Sequence, residues 1–236
     1  MDSIFKTNKF SMKAISDFSN LNKTTRKHLK NVYSALALTM LSAFGGAIAF
    51  FVTGFSMSFL AAIGSILLII GLVATPNTPQ NQLTRLGMLC GIGGCTGFSL
   101  GPLLSMVLEI NPSIIPTAFL GTCVIFACFS LAALLSEKRS FLYLGGFLMS
   151  GLSMLCLMMF INIFIGSYMA FQIELYGGLL LFCGFILFDT QLIVEKCERG
   201  DNDYIWHSLD LFLDFVNIFR RLLIILASKE KKKSNK

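Results

Sequence analysis

Three aspartates stand where an acid is expensive. Asp189 follows the unbroken apolar stretch 179–188, and Asp210 and Asp214 lie inside a further apolar run near the C-terminus. An ionised Asp at the middle of a membrane costs roughly 2.5–3.5 kcal/mol on insertion scales. Such a residue normally faces protein or a water-filled path, and has a pairing or functional reason to be there. Were two of these carboxyls to meet, they could not both ionise cheaply and would share a proton. Asp214 is the hardest to read as incidental, with apolar residues on both sides. Asp189, beside Thr190 and Gln191, and Asp210, within two turns of its run's start, also fit an interfacial position.

The last run adds a second signal. His207, Asp210, Asp214, Asn217 and Arg221 follow one another in steps of three, four, three and four. On a helix turning about 100° per residue they share one stripe, which is most cheaply turned to the interior of a bundle. His207 taken alone reads as an interfacial polar residue, and so does Glu174 at the head of the sixth run. Glu109, next to Asn111 and Pro112, reads as a loop acid.

These residues need elements to hold them, and composition says which kind. The chain has 236 residues, 55% hydrophobic and 14% charged, with a mean hydropathy of +0.73. A soluble domain carries about 25% charged residues, so this chain lacks the ions to cover a water-facing surface. Apolar runs fall at about 31–53, 58–75, 86–108, 114–135, 141–167, 170–190 and 204–227. Each is long enough to cross a hydrocarbon core as a helix. The first follows some thirty polar residues and runs past twenty apolar ones, so it does not read as a cleaved signal. The connectors are too short for a second domain. The expected organisation is a polar N-terminal segment 1–30, a transmembrane bundle 31–227 and a basic tail 228–236.

Lys and Arg mark the cytosolic side. The N-terminal segment holds Lys6, Lys9, Lys13, Lys23, Arg26, Lys27 and Lys30. Arg85, then Lys138 and Arg139, then Lys196 and Arg199 fall in alternate connectors, and the others have none. This places the N-terminus in the cytosol and leaves the Asn22-Lys23-Thr24 sequon unmodified. Seven crossings would put the C-terminus on the other side, yet the tail holds Lys229, Lys231, Lys232, Lys233 and Lys236. Either the tail violates the rule, or run 204–227 does not fully cross, as a re-entrant or centrally buried helix shielded from lipid by protein. The basic ends read as lipid contacts, not as a nucleic-acid surface.

The third run carries Gly87, Gly91, Gly93, Gly97 and Gly101. The four-residue steps, Gly93, Gly97 and Gly101 above all, let a neighbouring backbone approach closely. Gly91 to Gly97 lacks the GxGxxG spacing of a dinucleotide loop. Pro102 is expected to kink the run. Seven cysteines, an odd number mostly within apolar stretches, read as packing residues. With only His28 and His207 as histidines and no CxxC pair, no tight metal site is expected.

Several segments together resemble the Bax inhibitor-1 family of endoplasmic-reticulum membrane proteins, nearest its animal branch. They are 97–102 (GFSLGP), 111–119 (NPSIIPTAF), 185–191 (FILFDTQ), 200–207 (GDNDYIWH) and 211–220 (LFLDFVNIFR). The resemblance covers essentially the whole chain. It implies an all-α membrane protein, a seven-helix bundle with the last helix central. It also implies a pH-responsive calcium leak from the endoplasmic reticulum that suppresses cell death, within the setting of calcium homeostasis and the unfolded protein response. In the family the Phe-Asp-Thr-Gln carboxylate, matched by Asp189, forms a hydrogen-bonded pair with the Leu-Asp carboxylate of the last helix, matched by Asp214. Asp210, His207 and Asn217 would support that pair. Some bacterial relatives latch the first carboxylate to a basic residue of the second helix; here no Lys or Arg lies between Phe55 and Thr84. Implied partners are lipid, cell-death regulators of the Bcl-2 type and calcium-release channels, with Ca²⁺ as permeant ion, protons as regulator and no cofactor.

On this reading the deprotonated pair offers hard oxygen ligands to Ca²⁺, too few for tight binding and therefore suited to passage. Other classes fit less well. An intramembrane aspartyl protease also needs two aspartates, but residues 186–189 and 211–214 lack the Gly-x-Gly-Asp pattern, and no enzymatic activity is expected. A zinc hydrolase lacks ligands, and a seven-helix receptor would have its N-terminus outside. The strongest rival is a non-conducting regulator that binds other membrane proteins and alters calcium only through them.

Overall fold

The computed structural model describes residues 23–53, 57–136 and 140–234, and is helical nearly throughout. Among the described residues eight α-helices follow one another: α1 Lys23–Thr53, α2 Ser58–Ala74, α3 Gln82–Ser99, α4 Gly101–Ile110, α5 Ile114–Leu135, α6 Gly145–Ile165, α7 Tyr168–Glu198 and α8 Tyr204–Ser234. Short 3₁₀ turns at Pro79–Asn81 and Ser140–Leu144 lead into α3 and α6. Among the described residues there is no strand. In lipid a helix satisfies its own backbone, which is why apolar runs of this length fold this way.

The third apolar run is two helices. Pro102 at the second position of α4 cannot donate an N–H to the preceding turn, and α3 and α4 meet at a bend of 41°. By length and composition α1, α5, α6 with its leading turn, and α7 can each cross a membrane; the bent α3–α4 pair makes a fifth candidate, and α2 is a shorter apolar helix. Helices outrun the apolar stretches at several ends. Helix α1 begins at Lys23 and α8 continues to Ser234, because good helix formers carry the hydrogen-bond ladder into polar sequence. Residues 1–22, Lys138, Arg139 and the tip Gly54-Phe55-Ser56 lie outside the described residues, as do Asn22 of the sequon and Lys236.

Helix α8 occupies the middle. It packs against α1, α5 and α7 and touches α3 and α4. Ile205, Leu209, Leu211, Phe212, Phe215, Ile218 and Leu223 are buried along it. Large side chains of the outer helices face outward instead: Phe44 is 67% exposed, Phe164 77% and Leu180 75%. Such apolar surface on a multi-helix bundle is what lipid covers.

The last run is a helix buried at the centre of the bundle, and by length and composition it is not among the candidate membrane spans. Helix α8 is continuous over 31 residues. Its start lies beside the beginnings of α1 and α3, through His28 and Arg85. Its end lies at the opposite pole, where Asn111 Nδ2 donates to Glu230 Oε1 at 3.4 Å and Lys232 Nζ stands 6.0 Å from the Tyr168 ring. The basic end of α8 sits at the pole opposite Arg85 and Lys196.

Gly93 and Gly97 of α3, and Gly101 at the start of α4, face α1. A Cβ on Gly93 would stand 2.6 Å from the Thr39 carbonyl oxygen, one on Gly97 would overlap the Ala43 carbonyl, and one on Gly101 would overlap the Phe50 ring. A Cβ on Gly46 of α1 would overlap the Gly94 carbonyl, and Ser42 Oγ donates to the Cys90 carbonyl at 2.6 Å across the contact. Gly91 instead receives Leu68 of α2, and Gly87 faces open space. All seven cysteines are free thiols.

Candidate functional site: the carboxyl pair between α7 and α8

Asp189 sits two-thirds of the way along α7, and Asp214 one-third of the way along α8. Their carboxyl groups face each other in side-chain hydrogen-bond contact across the seam. Two carboxyls hydrogen-bonded to each other would have a proton between them, since two carboxylates can only accept. Asp214 is 4% exposed and Asp189 is half-buried. Asp214 Oδ2 has no hydrogen-bond partner, so one acceptor remains free at the centre of the bundle. Asp210, half-buried one turn earlier on α8, lies within the electrostatic reach of Asp189. Lys196, two turns beyond Asp189 on the same helix, supplies positive charge that reaches both Asp189 and Asp210. The second helix offers no basic side chain, and α2 packs against α3 at the periphery.

The stripe on α8 does not face a single neighbour. Asp214 and Arg221 turn to α7, where Arg221 lies over Phe182 with Cζ 4.7 Å from the ring centre. Asn217 stays local: its Nδ2 donates to the Leu213 carbonyl at 2.9 Å, and its Oδ1 accepts from Arg221 Nη1 at 3.1 Å. His207 turns to α1. It is 1% exposed, and its Nδ1 lies 2.9 Å from Nε2 of His28, itself 5% exposed.

Around that histidine pair is a polar cluster that sequence reasoning missed. Ser208 Oγ donates to the Val32 carbonyl of α1 at 2.9 Å. Arg85, 3% exposed at the head of α3, donates Nη1 and Nη2 to Asp203 Oδ1 and Oδ2 at 2.9 and 2.6 Å. Asp203 also accepts from the Trp206 N–H at 3.1 Å, capping α8. An Asp three residues before the first buried turn was a readable cap; its pairing with a residue 118 positions away was not. Among the described residues no group of three or more His, Cys, Asp or Glu is arranged to hold a metal ion.

Known proteins place the chain. The family model described as "Inhibitor of apoptosis-promoting Bax1" matches residues 25–231. Bax inhibitor 1 of Homo sapiens is 51% identical over 226 residues, covering 95% of each chain. Bax inhibitor 1 of Drosophila melanogaster is 43% identical over 210 residues, covering 89% of this chain and 86% of the relative. Bax inhibitor 1 of Arabidopsis thaliana is 42% identical over 218 residues, covering 92% of this chain and 87% of the relative. The family-model match spans both aspartates and every helix of the bundle apart from the first two residues of α1 and the last three of α8. The chain is a multi-pass membrane protein and belongs to the Bax inhibitor 1 family.

Proposed function

We propose that this protein restrains apoptosis as a pH-sensitive calcium leak of the endoplasmic-reticulum membrane, with the N-terminus in the cytosol and the Asp189–Asp214 pair as its gate. The anti-apoptotic part rests on the relatives, which are named as inhibitors of Bax-driven death. The leak rests chiefly on one observation: two carboxyls from different helices meet in the interior of the bundle. With a proton between them, they tie α7 to α8. Without it, two anions repel across the seam and present oxygen ligands to a divalent ion. Calcium and protons then compete for the same oxygens, and the population of the open seam depends on both.

The test is calcium flux from the purified protein in vesicles, with no other protein present. A leak above that of protein-free vesicles, varying with pH, is the expected result. Flux indistinguishable from protein-free vesicles would sink the leak. The protein would then be a non-conducting regulator acting through cell-death regulators or calcium-release channels.

A further inference from the structure

Arg221 lies seven residues past Asp214 on α8, about 10 Å further along the axis. Its guanidinium fills the seam between α8 and α7. Nη1 donates to the Asn217 backbone carbonyl at 3.2 Å and to Asn217 Oδ1 at 3.1 Å, and Cζ stacks over Phe182. The seat is built by a missing side chain: a Cβ on Gly178 of α7 would stand 2.7 Å from Nη2 and 2.8 Å from Cζ. Nε is buried without a hydrogen-bond partner. Among the described residues no carboxylate is within ion-pair distance of Arg221. Glu174, one turn before Gly178, reaches it only through its field, and Arg220 adds a like charge.

A guanidinium keeps its charge in any protein setting. A full positive charge is therefore held between two helices by neutral partners alone, on the same seam as the two acids. Within a membrane such a charge marks a pathway more often than it serves packing. We propose that Arg221 is an electrostatic barrier on the α7–α8 seam, slowing cations that pass the carboxyl pair and slowing divalent ions more than monovalent ones. This rests on the calcium-leak reading. Repulsion scales with the charge of the passing ion, so the barrier height for Ca²⁺ is twice that for K⁺ at the same point. A fixed Arg set against cation entry is a known way to build selectivity into a pore.

The experiment compares Arg221→Gln, Arg221→Lys and wild type in vesicles loaded with Ca²⁺ or K⁺. Arg221→Gln is expected to raise both fluxes, with the Ca²⁺ factor about the square of the K⁺ factor. Arg221→Lys keeps the charge and is expected to stay nearer wild type than Arg221→Gln. Asn217→Asp, which leaves Arg221 in place and gives it a carboxylate partner, is expected to shift selectivity in the same direction. It keeps the test open should Arg221→Gln fail to fold. Equal factors for the two ions would mean general loosening of the bundle and would overturn the barrier, as would no rise over wild type in either charge-neutralised variant. The leak itself is judged separately, by wild type against protein-free vesicles. A Ca²⁺-selective rise over a silent wild type would still support the barrier.

Discussion

His28 and His207, 179 residues apart in sequence, share a hydrogen bond of 2.9 Å with their rings edge-on at 87°. One ring donates and the other accepts, so the pair carries a single bridging proton. This contact ties the start of α1 to the start of α8, at the pole opposite the basic tail. His207 Nε2 is left without a hydrogen bond and stands 4.0 Å from Asp201 Oδ2. Replacing His28 by Ala would strand His207 Nδ1 as well, in a site closed to water. The expected cost is roughly 1–3 kcal/mol, seen as a lower melting temperature in detergent. His28→Ala/His207→Ala should cost less than the two single changes added together, because it removes the stranded group too. Strict additivity would mean that the rings are not coupled.

Arg85 and Asp203 fix the same pole by a different interaction. The fork of Arg85 meets both oxygens of Asp203, and the Arg is almost fully enclosed. Breaking a buried pair leaves one charge uncompensated, at a cost of about 3 kcal/mol. Arg85→Ala is expected to lose about that much stability. Arg85→Lys is expected to recover only part of it, since an ammonium cannot span two carboxylate oxygens as a planar fork does. Asp203→Asn keeps a good helix cap, so its loss reports the charge and not the end of α8. Melting curves of the three variants at one detergent concentration separate these contributions. A lysine variant as stable as wild type would show that the paired geometry contributes nothing.

The central pair makes a sharper demand on function. Asp214→Asn removes one titrating carboxyl but keeps a group that can hydrogen-bond to Asp189. Calcium flux from the variant in vesicles should lose most of its dependence on pH. Asp189→Asn should do the same, and Asp189→Asn/Asp214→Asn should flatten the profile no further than either single change, because the two act as one proton-binding unit. A variant that keeps the wild-type pH profile would remove the carboxyl pair from the gate.

Much of this architecture was legible before any coordinates. Apolar stretches marked the helices, Pro102 marked the bend between α3 and α4, and an acid flanked by Leu213 and Phe215 marked a buried position. What sequence left dark is what depends on three-dimensional pairing. The period of a helix places Asp214, Asn217 and Arg221 on one face, but it does not say that α7 receives Asp214 while α1 receives His207. Arg85 and His28 read as residues near a membrane edge because charge alternation reports a side of the membrane, never a partner. The direction of α8 was ambiguous for a physical reason. Its tail carries Lys229, Lys231, Lys232 and Lys233, and the rule relating Lys and Arg to the cytosolic side conflicts there with the count of crossings. Packing against α1, α5 and α7 fixes where α8 runs within the bundle.

The glycines of α3 allow one chemical change to be tested in two settings on a single helix. Gly97→Ala adds a methyl group where the Ala43 carbonyl of α1 already stands. The obstacle is backbone, so α1 and α3 must separate, and overpacking of this kind costs typically 1–3 kcal/mol. Gly87→Ala adds the same methyl where nothing lies within 4 Å. There the gain in helix propensity acts alone, about 0.8–1 kcal/mol in favour of the folded state. The two variants should therefore move the melting temperature in opposite directions, Gly97→Ala down and Gly87→Ala slightly up. If both moved down by similar amounts, the glycines would matter for some property of α3 itself and not for its approach to α1.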